Sequence, residues 1–235
     1  EKLQAMVGAA NDSLSKVSAW PQQLLVDESE TVRGFLMPKV ESRSDVHMVY
    51  NPGSRTNQFP DYHFAKVCAL AGNVARAFAT IHSEGHVIGD INHGHMLVGR
   101  DSTVVLIDVD SFQVNIKGRT FTCDVGNFLF QPPELQVLTS FHKVHRDQDY
   151  DRFGLAVILF HLLFMGRHPF AGKWTGPGDM PIDRAIKEGH FAYTMTSKHP
   201  SLEQPPGTLP LTAFGDPCAQ LFESALNIRN AGNRP

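Results

Sequence analysis

The chain has 235 residues, 42% of them apolar and 19% charged, an ordinary globular composition long enough to bury a substantial core. A net charge of −3 with twelve His supplies no basic stripe, so the electrostatic footprint of a nucleic-acid binder is missing and no nucleic-acid partner is expected from this segment. Cys68, Cys123 and Cys218 lie far apart with no Cys-x-x-Cys, which argues against a disulfide framework and leads to the expectation of a reducing, cytoplasmic setting.

Residues 1 to 7 carry the pattern of a helix end, and Glu-Lys-Leu-Gln-Ala-Met is mid-helix in character rather than a basic leader, so the chain is expected to be part of something longer. Over residues 20 to 40, Leu24-Leu25-Val26 and the apolar positions from 32 to 37 flank Asp-Glu-Ser-Glu, which predicts two antiparallel strands. From 62 to 83 the set Phe64, Val67, Cys68, Ala71, Val74, Ala75, Phe78, Ile81 keeps helical spacing. Leu97-Val98 and residues 104 to 107 form a predicted hairpin around Gly99-Arg100-Asp101-Ser102. Residues 112 to 115 and 120 to 123 form a second, around Ile-Lys-Gly-Arg. After Pro132 everything has helical character: 149 to 165, 182 to 188, and 217 to 226 with Asp216 as N-cap and Pro217 at the first helical position. The apolar run 153 to 166 has Arg152 at its edge and His161 inside, too short and polar for a bilayer, so it is expected in the core with no membrane partner.

The chemistry concentrates in 85 to 110, where Gly-His-Val-Ile-Gly-Asp-Ile-Asn-His-Gly-His-Met-Leu-Val precedes a polar turn and Val-Val-Leu-Ile-Asp-Val-Asp. Asp90 stands on a loop and Asp108 at the mouth of an apolar strand. Phosphoryl transfer needs such a pair: one carboxylate orients or deprotonates the acceptor hydroxyl, and the other holds the magnesium that neutralises the phosphates.

In register, the stretch resembles a protein kinase catalytic loop followed by the metal-binding Asp motif, and four further segments resemble kinase motifs in the same order. Gln131-Pro132-Pro133-Glu134 resembles the Ala-Pro-Glu that closes the activation segment. Asp149-Tyr-Asp-Arg-Phe-Gly154 before Leu-Ala-Val-Ile-Leu-Phe resembles the Asp-x-Trp-Ser-x-Gly helix. Met165-Gly-Arg-His-Pro-Phe170 is similar to the Thr-Gly-x-x-Pro-Phe after it, and Asn233-Arg234-Pro235 carries the Arg expected to pair with Glu134. With Asp-Val-Asp-Ser-Phe-Gln and Gly-Phe-Leu-Met-Pro-Lys, the resemblance is to bacterial eukaryotic-type Ser/Thr protein kinases.

That resemblance implies an α+β, protein kinase-like fold: a remnant of the small lobe and hinge over 1–40, and a mainly helical large lobe over 41–235, truncated near its last helix. It implies ATP and Mg²⁺ as cofactors, a protein substrate and regulatory protein partners. Adenine would lie above Leu97, with the backbone of Pro38 and Val40 at the hinge and Met37 at the back. Asp90 would accept the hydroxyl proton, with Asn92 where the family has a catalytic-loop Lys. Asp108 would hold the metal, and His95 stands at the position of the Asn that holds a second one. Asp149 would brace the loop backbone near Ile88. Lys39, beside the hinge, is expected to be solvated.

The departures have consequences of their own. Ile88-Gly89 replaces the His-Arg before the catalytic Asp, removing the Arg that a phosphorylated activation loop would need, so the segment after Asp108 is expected to be held by its own hairpin. His95 is a poorer ligand than Asn for a hard cation that prefers oxygen. Val109 and Asp110 replace Phe-Gly, and Asn127 replaces the Thr that steadies the catalytic Asp. No Gly-rich loop or strand-borne Lys precedes Trp20, and Glu1 occupies the place of the helix Glu such a Lys would pair with, so most of the small lobe is expected upstream of residue 1 or absent. A pseudokinase that binds nucleotide or a partner as a scaffold is the alternative. A haloacid-dehalogenase-type phosphatase built on Asp108-Val-Asp110 is a lesser one, since it wants that strand at the start of a domain. His86, His93 and His95 suggest zinc but lack a fourth ligand on the loop.

Overall fold

The computed structural model describes residues 1–197 and 200–235. The chain opens with helix α1 (Lys2–Gly8) and helix α2 (Asp12–Val17), the latter capped by Asn11, whose Oδ1 accepts the Leu14 N–H at 2.9 Å. Trp20 locks this start to the rest: its indole N–H donates to the Met6 carbonyl at 2.9 Å and its ring stacks on His86 at 5.2 Å. Strands β1 (Gln23–Val26) and β2 (Val32–Leu36) pair antiparallel as expected. Asp27 makes their turn by accepting the Ser29 and Thr31 backbone N–H groups on Oδ1, an Asx geometry that substitutes for a tight two-residue loop.

Strand β3 (Ser44–Asp45) and short helices α3 (His47–Tyr50) and α4 (Pro52–Gln58) lead to the long helix α5 (Phe64–Ser83). By length and composition α5 could cross a bilayer. Here Val67, Leu70, Val74, Phe78 and Ile81 bury its apolar side in the core, because the 3.6-residue period aligns them on one face. Strands β4 (Met96–Val98) and β5 (Val104–Leu106) form the expected first hairpin, and β3 adds to it in the order β3-β4-β5. Strands β6 (Val114–Ile116) and β7 (Arg119–Phe121) form the second, with Asn115 opposite Thr120. Lys117 and Gly118 both take positive φ, the type I′ turn signature that Lys-Gly offered in sequence.

Helix α6 (Gln148–Leu163) packs on α5 at the centre of the domain. Gly154 permits its close approach, since a Cβ there would stand 2.6 Å from Ile91 Cδ1 and 2.9 Å from the Phe130 carbonyl oxygen. Strand β8 (Lys173–Trp174), helix α7 (Ile182–Glu188), strand β9 (Leu202–Glu203) and helix α8 (Asp216–Leu226) complete the chain. The region after Pro132 is therefore not wholly helical: β8 and β9 pair antiparallel, and two-residue strands are too short to show an alternating pattern. Helix α8 also starts one residue earlier than expected. Gly215 is its cap and Asp216 lies inside the first turn, where a carboxylate still complements the helix dipole.

Candidate active site

The catalytic-loop stretch is shaped by a buried carboxylate on α6. Asp151, fully buried, accepts the Ile88 N–H at 2.7 Å and the Gly89 N–H at 2.9 Å, and lies 2.8 Å from His82 Nε2. This corrects the expectation for Asp149, which does not brace the loop. Asp149 instead accepts the backbone N–H of Gly232 at 2.8 Å and of Arg234 at 2.7 Å, together with the Arg234 Nη1. Two residues apart on a helix means about 200° of rotation, so the two acids face opposite sides. Both acids shortly precede Gly154, and only the side of α6 that each faces separates them.

With the loop so held, Asp90 turns toward the end of β5. Its side chain is 13% exposed, and the loop returns through Asn92, whose Oδ1 accepts the Gly94 N–H at 2.8 Å and whose Nδ2 lies 3.0 Å from His95 Nδ1. Asp108 follows β5 in a left-handed backbone conformation, φ 58°, which Asp tolerates better than most residues. His95 stands between the two acids, with Nδ1 3.6 Å from Asp90 Oδ2 and Nε2 3.7 Å from Asp108 Oδ2. The three offer ligand atoms within 4.8 Å of one another. Burial pushes the Asp90 carboxyl pKa up, His95 and Arg146 oppose that, and Asp108 adds to it. The Asn127 side chain is spent capping the 3-10 turn Phe128–Phe130.

Beside these groups opens a cavity of about 660 Å³ lined by Ala19, Met37, Pro38, Lys39, Val40, Leu97 and Ile107 together with His95, Asp108 and Asp110. That volume and the largely apolar walls suit a drug-sized ligand, and the carboxylates in the lining suit a cation accompanying an anionic part. All four residues expected around adenine, Met37, Pro38, Val40 and Leu97, line it. Lys39 is largely exposed and pairs with Glu41 at 2.6 Å. Glu1, the candidate helix Glu, is engaged by Arg119 of β7 at 2.5 Å.

Away from the cavity, Arg234 is fully buried and its Nη2 donates to both oxygens of Glu134, at 2.7 and 3.0 Å. The expected ion pair is thus present, with Asp149 as an unforeseen second carboxylate. The zinc reading fails on geometry: His86 stacks on Trp20 and accepts the Asn115 N–H at 3.3 Å, while His93 packs edge-on against His47 and Phe130. The phosphatase reading fails as well, because Asp108 lies just past the last strand of an antiparallel sheet in mid-domain.

No family model matches this chain. Two curated relatives, each called Protein kinase YegI and from two strains of Escherichia coli, are 39% identical over 227 residues, or 96% of this chain. The chain spans 35% of their length. Among solved structures, the crystal structure of the yeast RNA Pol II CTD kinase CTDK-1 complex superposes with a TM-score of 0.58 at 12% identity, covering 96% of this chain and 73% of that one, and shows the shared fold. The chain has a protein kinase-like fold.

Proposed function

We propose that the domain transfers the γ-phosphate of ATP to a Ser or Thr hydroxyl of a protein, with residues 1–40 contributing the small-lobe side and hinge of the site and 41–235 the large lobe. The observation that carries this reading is that His95 and Asp108, which come together with Asp90, also line a cavity with largely apolar walls. Met37, Pro38, Val40 and Leu97 enclose the base. Asp108 and His95 hold the divalent cation, which when bound neutralises charge on the phosphates. Asp90 orients the acceptor hydroxyl and takes its proton, and burial of its carboxyl suits it to that task by raising its affinity for a proton. Asn92 keeps the loop and the His95 ring in place through its own side chain. We place the domain in the cytoplasm, where its three free cysteines remain reduced, and expect regulatory protein partners.

A second reading has its own observation. The His95 ring, seated between the two acids, occupies space that a cation would need, as a nucleotide- or partner-binding scaffold without catalysis would allow. Radiolabelled phosphate transfer by the full-length protein decides between them. Asp90→Ala is expected to lower turnover by about 10² to 10⁴ with nucleotide affinity nearly unchanged. Equal incorporation by both proteins, or none from either with Mg²⁺ and Mn²⁺ both tried, selects the scaffold.

A further inference from the structure

An arginine from elsewhere in the chain lies over Gly89, the residue that stands where the family's loop arginine would be. Arg146, just before α6, is 4% exposed. Its Nη2 donates to the Val125 carbonyl at 2.6 Å, its Nη1 lies 3.8 Å from Cys123 Sγ, and its guanidinium covers the Phe141 ring at 4.4 Å. Two glycines make room for it. A Cβ on Gly89 would stand 2.9 Å from Nη1, and one on Gly126 would stand 3.2 Å from Nη2. The backbone of Arg146 is clasped too: its N–H donates to Gln113 Oε1 at 2.8 Å, and Gln113 Nε2 donates back to its carbonyl at 2.6 Å. Gln113 in turn pairs by backbone with Val87, at the entrance to the catalytic loop, and Gln131 Nε2 donates to the Gly89 carbonyl at 2.7 Å.

A guanidinium buried without a carboxylate in contact is costly, and burial draws its pKa below that of a free arginine. Its Nε has no hydrogen-bond partner among the described residues. Stability alone is a poor reason to keep such a group, whereas its placement between two functional segments supplies one. It is also closed to solvent, so no phosphate on the surface can reach it.

We propose that Arg146 is a positioning residue that ties the segment 123–126 to the Gly89–Asp90 loop, so that the acceptor platform is assembled without phosphorylation of the activation segment. The proposal rests on the phosphotransfer reading above. It assigns to a buried arginine, bonded to a backbone carbonyl, the role that a phosphate-reading arginine would have at position 89.

The test uses the full-length protein with Arg146→Met, Arg146→Lys and the triple variant Thr120→Ala, Thr122→Ala, Ser140→Ala. Arg146→Met is expected to lower kcat about 10- to 100-fold with the KM for ATP within about twofold, the pattern of a lost transition-state arrangement rather than lost binding. It should speed amide exchange over 123–127 by about tenfold or more while α5 and α6 keep their rates, the mark of local opening. Arg146→Lys keeps the charge but not the planar fork, and should recover part of kcat. The triple variant should keep turnover within about twofold, since no phosphate is required. The proposal is overturned by an Arg146→Met variant with wild-type kcat and exchange, by exchange rising equally in α5 and α6, or by loss of turnover in the triple variant. If the wild-type protein transfers no phosphate, the phosphotransfer reading falls by itself, and the exchange data alone then decide: local acceleration in Arg146→Met keeps the tie, and its absence removes it.

Discussion

Two places in the molecule set one basic side chain between two carboxylates, and they are built in opposite ways. At the base, Arg234 meets Glu134 at 2.7 Å and also bonds Asp149 directly, with the arginine side chain wholly out of solvent. In the cleft, His95 faces Asp90 and Asp108 at 3.6 and 3.7 Å, and Asp108 is 47% exposed. The first arrangement is closed, since further backbone N–H groups and the Phe153 ring face its charges. The second leaves carboxylate oxygens free to accept a ligand. Each sets one basic side chain between two carboxylates; closure distinguishes the anchor from the open arrangement.

The largest expected effect comes from opening the closed one. Arg234→Met leaves two acids without their cation and should cost about 3 to 5 kcal/mol, seen as a melting point lower by about 10 °C for a chain of this length. Glu134→Ala should cost less, because Glu134 is 27% exposed and Asp149 still holds the arginine. An unchanged melting point in Arg234→Met would break the contrast.

Titration of the core comes next. Burial holds His161 near a pKa of about 3 and His168 near about 4, so both stay neutral in the folded protein. The unfolded chain takes up those protons below about pH 6.5, so stability is complete above that pH and falls as pH drops toward the folded values, by up to about 1.4 kcal/mol per pH unit for each group. Urea midpoints between pH 7.5 and 5 should therefore decline, and His161→Gln should flatten the decline. A midpoint independent of pH would show that these rings are not neutral in the core.

A smaller loss is expected from Asp151→Asn, about 1 to 3 kcal/mol, since one of two amide donors loses its charged acceptor. Its signature is faster amide exchange at Ile88 and Gly89. The smallest effect on stability belongs to the open site. Asp108→Asn should leave the melting point within about 2 °C, as expected for an exposed polar change, yet abolish calorimetric binding of Mn²⁺ in the presence of nucleotide. His95→Asn should shift preference from Mn²⁺ toward Mg²⁺, because imidazole favours the softer ion. Loss of stability without loss of metal binding would place Asp108 with the anchors.

Much of this contrast is legible in the sequence, and the reasons are local. The period-3.6 stripe of α5, the β4–β5 and β6–β7 hairpins, and the pairing of Glu134 with Arg234 follow from patterns that a few residues carry by themselves. The placement of Asp90 on a loop and of Asp108 just past a strand is legible because each adjoins a short apolar run. The role of Asp151 is not legible, since Asp-x-Asp offers two acids and only the direction of each side chain from α6 tells them apart. Arg146 is hidden for another reason: it sits 57 positions beyond Gly89 in an unremarkable loop, and nothing in linear order joins it to the vacancy it fills. The pair β8 and β9 escapes because each strand is two residues long.

The contact between Gly89 and Arg146 also orders the substitutions this chain can accept. Gly89 has φ +74°, and any side chain there would collide with Arg146 and Cys123. A small residue at position 146 would remove only one of these obstacles, since the Cys123 Cβ and the left-handed backbone would remain. Gly89 is therefore fixed by two neighbours and by its own conformation at once, and an arginine can serve this loop only from another part of the chain.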